Sequence, residues 1–301
     1  MDLDTILQRA TQKNKTKVAI AAAEDYEVLE AVSLSIERNL ASFSLFGDKN
    51  MIHEIMNRHF PQLINCRDIN IIHTESVQDS ATLAVQSVHN HSAHILMKGN
   101  IPTSLILKAV LHKEYGLRTG SVLSHVAAFQ VPSYHSLVFI TDAAMNIEPD
   151  LEQKAQIIKN AVNIAQSVGL ELPKVAVLSA VEVVNPAMHS TLDAAALTLM
   201  NRRGQISGCI IDGPLALDNA ISMEAAEHKG IKSDVAGAAD ILLVPNIETG
   251  NTLYKSLIYF AKAKVGAMVA GAKAPIVLTS RADSAESKVY SLALAICSVN
   301  N

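Results

Sequence analysis

Ser280 and Arg281 follow a short apolar run, Pro275 to Leu278, and precede what reads as the start of a helix. A turn that only connects would use Gly, Asn or Asp. A hydroxyl beside a guanidinium instead offers a donor for a developing oxyanion and a fork for a carboxylate or phosphate. A guanidinium next to a helix N-terminus is electrostatically awkward unless an anion lies between them. Asp283 and Glu286 stand at capping-box spacing, which gives Asp283, Ser284 and Glu286 a structural role. It gives Ser280 and Arg281 none.

Other turns present similar choices. Thr249-Gly250-Asn251, after the run 240–244 and Pro245, opens an amphipathic helix bearing Leu253, Leu257 and Ile258. It reads either as a phosphate seat on free N–H groups or as an ordinary N-cap by Thr249 or Asn251. Asp212 ends an apolar run, Gly213-Pro214 makes a turn, and Asp218 takes an N-cap position. Asp212 is either turn chemistry or a ligand-orienting carboxylate. Arg118, before Thr119-Gly120, is either a solvated surface charge or an anion fork. His89, His91 and His94 look like a metal cluster only superficially, since no Cys or carboxylate follows at ligand spacing. His125, mid-strand, reads as a core histidine. No nucleophile elbow, no dinucleotide-binding glycine fingerprint and no Cys–His signature occurs.

The elements that must position these residues alternate. Strands are expected at 17–22, 42–46, 69–73, 94–97, 122–131, 137–141, 174–178, 207–211, 240–244 and 275–278. Helices are expected at 25–39, 51–60, 77–88, 103–112, 151–168, 190–201, 219–228, 251–263 and 284–298. The strands are short and apolar on both faces, as parallel strands under helices are. The class is α/β, with doubly wound sheets whose ligands bind beyond the strands' carboxyl ends. The successive strands 122–131 and 137–141 mark a passage between domains.

Composition narrows the function. The 301 residues, 49% hydrophobic and 18% charged, suit about two domains. Net charge is −4, basic residues are scattered and aromatics are 4%, so no nucleic-acid partner is expected. Cys66, Cys209 and Cys297 lack metal-ligand spacing and read as reduced buried thiols of a cytoplasmic protein. The N-terminus lacks an apolar signal-like core, and no apolar run approaches membrane-spanning length, so no membrane partner is expected.

Several of these stretches together resemble one family over nearly the whole chain. They are GPLALD at 213–218, the Pro245 to Asn251 segment ending TGN, and the Pro275 to Arg281 segment ending SR. LRTGSVLSHV and DAAMNIEPDLEQKA belong with them. The resemblance is to the phosphate acetyl/butyryltransferases, closest to the phosphate butyryltransferase branch. It implies two doubly wound α/β domains around a cleft, isocitrate/isopropylmalate dehydrogenase-like. One would be residues 1–133 with 275–301 returning to it, the other 134–274. It implies an acyltransferase converting butyryl-CoA or a branched-chain acyl-CoA, with phosphate, to acyl phosphate and CoA. No cofactor is implied; coenzyme A is a substrate or product, and the enzyme would be a homodimer or higher homo-oligomer.

The same resemblance makes Ser280 the transition-state donor and Arg281 and Arg118 the phosphate or CoA ligands. Thr249, Gly250, Asn251 and Asp212 join the substrate-binding set. The position that carries a basic aspartate in acetyltransferases is Ser287 here, which leaves Glu286 and Asp283 as neighbouring candidates for the base. Two other readings share the fold: a metal- and NAD(P)-dependent dehydrogenase, for which Asp212 and Asp218 supply few carboxylates, and a binding homologue without catalysis.

Overall fold

Short apolar runs alternating with amphipathic ones build an α/β architecture. The computed structural model describes residues 1–278 and 283–299. The chain divides into two compact units. Asp4–Ser121 and Gly266–Asn301 form the terminal unit; Val122–Val265 with Met1–Leu3 form the central unit.

The terminal unit begins with α1 (Leu3–Thr11), then β1 (Thr16–Ala21), α2 (Tyr26–Glu37), β2 (Ala41–Gly47), α3 (Lys49–His59), β3 (Ile69–His73), α4 (Val77–His89), β4 (Ile95–Lys98) and α5 (Thr103–Val110). The central unit holds β5 (Ser124–Gln130), β6 (Leu137–Thr141), α6 (Leu151–Ser167), β7 (Lys174–Leu178), α7 (His189–Arg202), β8 (Ile210–Leu215), α8 (Leu217–Ile221), α9 (Met223–His228), β9 (Ile241–Leu243) and α10 (Ile247–Tyr259). The chain ends with β10 (Lys264–Ala270), β11 (Ile276–Val277) and α11 (Ala285–Ser298).

In the terminal unit the strand order is β3-β2-β1-β4-β11-β10. The first five strands are parallel, and β10 runs antiparallel to β11. The chain winds outward from β1 to β3, then crosses back to place β4 on the other side of β1. The β1/β4 boundary is therefore a topological switch point, where sheets of this kind take ligands. β1, β2 and β4 are almost wholly buried. β3, at the sheet's edge, has no buried residue, which corrects the expectation that every strand is covered on both faces.

In the central unit the order is β5-β6-β9-β7-β8, with β5 antiparallel to β6 and the rest parallel. α6 starts on a capping box between Asp150 and Gln153. Gly169, just beyond the end of that helix, has a φ of +102°, a conformation glycine adopts freely.

Several boundaries differ from the sequence reading. Val122–Ser133, assigned there to the first domain, belongs to the central unit because β5 pairs with β6. Gly266–Ala274 belongs to the terminal unit because β10 pairs with β11. α1 and β10 were not expected. α1 buries Leu3, Ile6 and Ala10 on one stripe, while Gly266 within β10 packs on the Tyr290 backbone. The helix expected at 219–228 is two short ones, broken at Ser222, whose side chain caps the second.

Candidate active site

The terminal unit's switch point is built from the turns that follow β1, β2 and β4. After β1, Ala22 takes a φ of +56°, a left-handed conformation that costs a residue bearing a Cβ about 1–2 kcal/mol. Hydrogen bonds hold it there: its N–H donates to Ser80 Oγ at 2.6 Å, and its carbonyl accepts from the Asn100 N–H at 2.7 Å. Ser80 in turn donates to the Phe46 carbonyl at 2.9 Å, tying the end of β1 to that of β2. Gly99 packs so closely on this turn that a Cβ there would overlap the Ala22 carbonyl oxygen. Strain held in place by surrounding bonds is commoner at functional sites than elsewhere.

Two charged side chains sit in these turns. Glu24 lies against Gly47, leaving no room for a Cβ at that position, and its buried Oε2 has no hydrogen-bond partner among the described residues. Burial pushes its carboxyl above the ordinary value, and Asp48 and Asp25 push the same way. Backbone N–H groups at Glu24 and Asp48 oppose them. Asp25 and Asp48 are themselves the N-caps of α2 and α3. Lys98, the last residue of β4, is 6% exposed and donates to the Gly99 carbonyl at 3.3 Å. The sequence reading missed both residues. Lys98 carries the signal that singled out Ser280 and Arg281, a charge ending an apolar strand run.

Arg118 is exposed in the same unit. Its backbone bridges Ala272, and the neighbouring Leu117 carbonyl accepts from the Lys273 N–H at 2.8 Å. The turn carrying Arg118 is thus pinned to the stretch that leads into β11. Ser280 and Arg281 lie outside the described residues.

α11 begins one residue later than the capping-box spacing suggests. Ser284 is the N-cap and accepts from the Ser287 N–H at 3.2 Å; Asp283 precedes the helix. Ser287, at the position where the family resemblance expects a base, is the residue whose N–H that cap satisfies. Glu286 is exposed and lies 3.2 Å from the Tyr290 hydroxyl, which also reaches Asp4 Oδ1 at 2.8 Å. One phenolic proton serves two carboxylates there. The buried Lys288 donates to the Asp283 carbonyl, fixing the residue from which α11 departs.

In the central unit the Thr249–Asn251 segment is not a helix start. α10 begins at Ile247, and Asn246 is its N-cap, accepting from the Thr249 N–H at 3.0 Å. The Ile247 N–H is taken by the Ile147 carbonyl at 2.9 Å. Gly250 is buried, and a Cβ there would come within 2.8 Å of Ala143 Cα and the Asp142 carbonyl oxygen. Its lack of a side chain serves helix packing rather than the approach of an anion. Thr249 and Asn251 flank it, exposed on the first turn. The loop beneath is organised by Asp142, whose carboxylate accepts from the backbone N–H groups of Ala144, Met145 and Asn146 and from Asn146 Nδ2.

Asp212 lies inside β8 opposite Ala176, not at its carboxyl end. Gly213-Pro214 continues the strand through a cis peptide bond instead of turning. Gly213 is pressed against Val177 and Ala194, where a Cβ would meet both. Asp218 is not an N-cap either: Ala216 precedes α8, and Asp218 pairs with Lys229 at 3.1 Å. Lys229 also pairs with Glu182, which accepts from Asn219 Nδ2 at 2.7 Å. Hydrogen bonds to Lys229 hold both carboxyls below their ordinary values.

Of the histidines at 89, 91 and 94, two have separate partners. His89 Nδ1 lies 3.1 Å from the Gly116 carbonyl, and His94 Nδ1 accepts from the Lys17 N–H at 3.0 Å. His125 is buried in β5 with its ring edge-on to Tyr254. Cys209 and Cys297 are buried thiols, whereas Cys66 is only partly covered. Burial pushes the Cys209 thiol up to about 11. Among the described residues no helix is long and apolar enough to cross a membrane.

A doubly wound α/β chain of two units, with its charged turns at strand ends, has the fold of the phosphotransacylases. A branched-chain phosphotransacylase from Enterococcus faecalis V583 superposes with a TM-score of 0.82 at 36% identity, covering 95% of this chain and 99% of that one. At 12% identity and a TM-score of 0.57, a 4-hydroxythreonine-4-phosphate dehydrogenase from Klebsiella pneumoniae shares the fold alone, covering 95% of this chain and all of that one. The sequence profile described as "Phosphate acetyl/butaryl transferase" matches residues 57–296, and the chain belongs to that family. It is 56% identical over 294 residues to a probable phosphate butyryltransferase of Bacillus subtilis, covering 98% of this chain and 96% of that one. It is 48% identical to a phosphate butyryltransferase of Clostridium beijerinckii, with the same coverage.

Proposed function

We propose that this chain is a phosphate acyltransferase of the butyryltransferase type, reversibly converting a short-chain acyl-CoA and phosphate to acyl phosphate and CoA. The observation that carries this reading is full-length similarity to phosphate butyryltransferases, with the TGN and SR segments in their expected order. The 36% identity to a branched-chain phosphotransacylase supports butyryl-CoA or branched-chain acyl-CoA as the thioester.

A phosphate oxygen attacks the thioester carbon, a tetrahedral oxyanion forms, and the C–S bond breaks to release CoA thiolate. Acyl transfer of this kind needs no bound metal or redox cofactor. It needs the two substrates held in register, which contributes up to ~7–11 kcal/mol, and donors aimed at the oxyanion. Ser280 is the proposed donor, and Arg281 and Arg118 the proposed ligands of phosphate or CoA phosphates. Thr249 and Asn251 are offered as exposed polar contacts, with Gly250 setting their presentation. Asp212 keeps a proposed substrate-binding role from within β8. Glu286 is the proposed proton carrier for the thiol, working through the hydroxyl of Tyr290. In the reverse direction the thiol gives up its proton as sulfur attacks the acyl phosphate and inorganic phosphate leaves. The enzyme is proposed to work in the cytoplasm as a homodimer or higher homo-oligomer.

The test is a panel of acyl-CoA thioesters from acetyl to hexanoyl, with branched members, assayed for CoA release with and without phosphate. Butyryl and branched thioesters are expected to turn over fastest, and only with phosphate. CoA release that ignores phosphate would sink the proposal.

A further inference from the structure

The central unit has a switch point of its own. From β7 the chain moves outward to β8, then crosses back to place β9 on the other side of β7. The terminal unit makes the same reversal at β1 and β4, and open α/β sheets take ligands at such boundaries. β9 ends at Leu243, and α10 leaves this boundary from Ile247.

Lys255 lies on α10 one turn after Asn251, so the two share a face. Asn251 is exposed and Lys255 half-buried. On the adjoining face Gly250 packs on Ala143, and Tyr254 meets Phe129 with ring centroids 5.0 Å apart. Tyr254 is also edge-on to His125, whose carbonyl accepts from Thr141 Oγ1, at the end of β6, at 2.8 Å. The Lys255 ammonium lies 5.7 Å from the centroid of that tyrosine ring. It is therefore drawn toward the strand ends that the ring packs against.

The fold supplies no anion for this charge. Among the described residues Lys255 forms no ion pair. The helix positions three and four residues away hold Asn251, Thr252, Ile258 and Tyr259, none of them a carboxylate. A ring attracts an ammonium through its face but takes none of its hydrogen-bond donors. A compact cation with three donors, beside a switch point, suits the oxygens of a phosphoryl group.

We infer that Lys255 binds a phosphoryl group of the substrates beside the β7/β9 switch point. The inference deepens the acyl-transfer reading and rests on it for the substrates. The chemistry has two sources: the phosphates of CoA, and inorganic phosphate. CoA fits better, because a ligand touching both the first turn of α10 and Lys255 must span about one helical turn, ~5 Å.

The experiment compares wild type with Lys255→Met, which keeps the stem and loses the charge, Lys255→Gln, and Lys255→Arg. KM for phosphate, for butyryl-CoA and for butyryl-pantetheine, which lacks the CoA phosphates, is measured with kcat and the thermal midpoint. Lys255→Met is expected to raise KM for butyryl-CoA ~10-fold, the loss of a charge-assisted contact, at a near wild-type midpoint. Lys255→Arg should recover part of that loss. The difference between wild type and Lys255→Met should collapse with butyryl-pantetheine. A rise in KM for phosphate, seen with either thioester, would place the lysine on inorganic phosphate and still support phosphoryl binding.

KM for butyryl-CoA and for phosphate both within about twofold of wild type would overturn the inference. So would an equal rise with both thioesters at an unchanged KM for phosphate, since no phosphoryl group would then be involved. Failure of both uncharged variants to fold would make Lys255 structural and overturn it too. A wild type without phosphate-dependent CoA release would overturn the acyl-transfer reading instead, and Lys255 would then be judged by binding alone. CoA or phosphate should raise the wild-type midpoint, as a ligand of the folded state does, and that rise should shrink in Lys255→Met. No rise in wild type, or an equal rise in both proteins, would end the proposal.

Discussion

Glu24 carries a carboxyl that folding makes harder to ionise, because it is buried, with one oxygen packed against Gly47. Its folded pKa lies above its unfolded one, so between the two values the folded chain holds the extra proton. Stability from this group is present at low pH and declines as pH rises through that window. Glu24→Gln should therefore raise the thermal midpoint relative to wild type at pH 8, and the difference should shrink toward about pH 4, where the unfolded carboxyl is also protonated. A difference that does not change with pH would contradict the buried-charge account. For Ser280 and Arg281 the expectations are kinetic. Ser280→Ala should lower kcat by ~10²–10³ with the fold intact, the usual loss for one oxyanion donor. Arg281→Ala should raise KM for phosphate or CoA by more than ~10-fold, the loss of a charge-assisted fork. Wild-type kinetics in either variant would remove that residue from the mechanism. Residue types at this scale were legible but their frame was not. Asp283 and Ser284 are both good caps one position apart, and the structure selects Ser284, moving Ser287 rather than Glu286 into the capped position.

Elements show where sequence pattern is strong and where it fails. Most of the expected strands and helices form, because short Val- and Ile-rich runs and 3.6-residue periodicity are robust signals. The start of α10 was misplaced because Asn246 and Thr249 are both cap-forming types, and only the end of β9 at Leu243 decides between them. β10 was missed because Gly266 reads as a breaker, whereas here it allows a close approach to Tyr290. Gly250→Ala tests the revised role of the TGN segment. Its Cβ would press on Ala143 and the Asp142 carbonyl, so the variant should lose ~1–3 kcal/mol in denaturant unfolding, as overpacking does. Unchanged stability with weakened phosphate binding would instead restore the anion-seat reading.

At the scale of the whole molecule, two α/β units were legible in the sequence and their seams were not. The boundaries fall at Ser121/Val122 and Val265/Gly266, with β5 pairing with β6 in one unit and β10 with β11 in the other. Family membership rests on a profile match over residues 57–296 and on similarity over 98% of the chain, and it supports the acyl-transfer account. Its central claim is that the acyl group passes to phosphate and to no other acceptor. The direct measurement is phosphorus NMR of the purified chain with butyryl-CoA and inorganic phosphate. The account predicts a growing acyl-phosphate resonance matched one for one by free CoA, and its reversal when CoA is added in excess. Free CoA accumulating alongside butyrate, with no acyl-phosphate resonance, would contradict it.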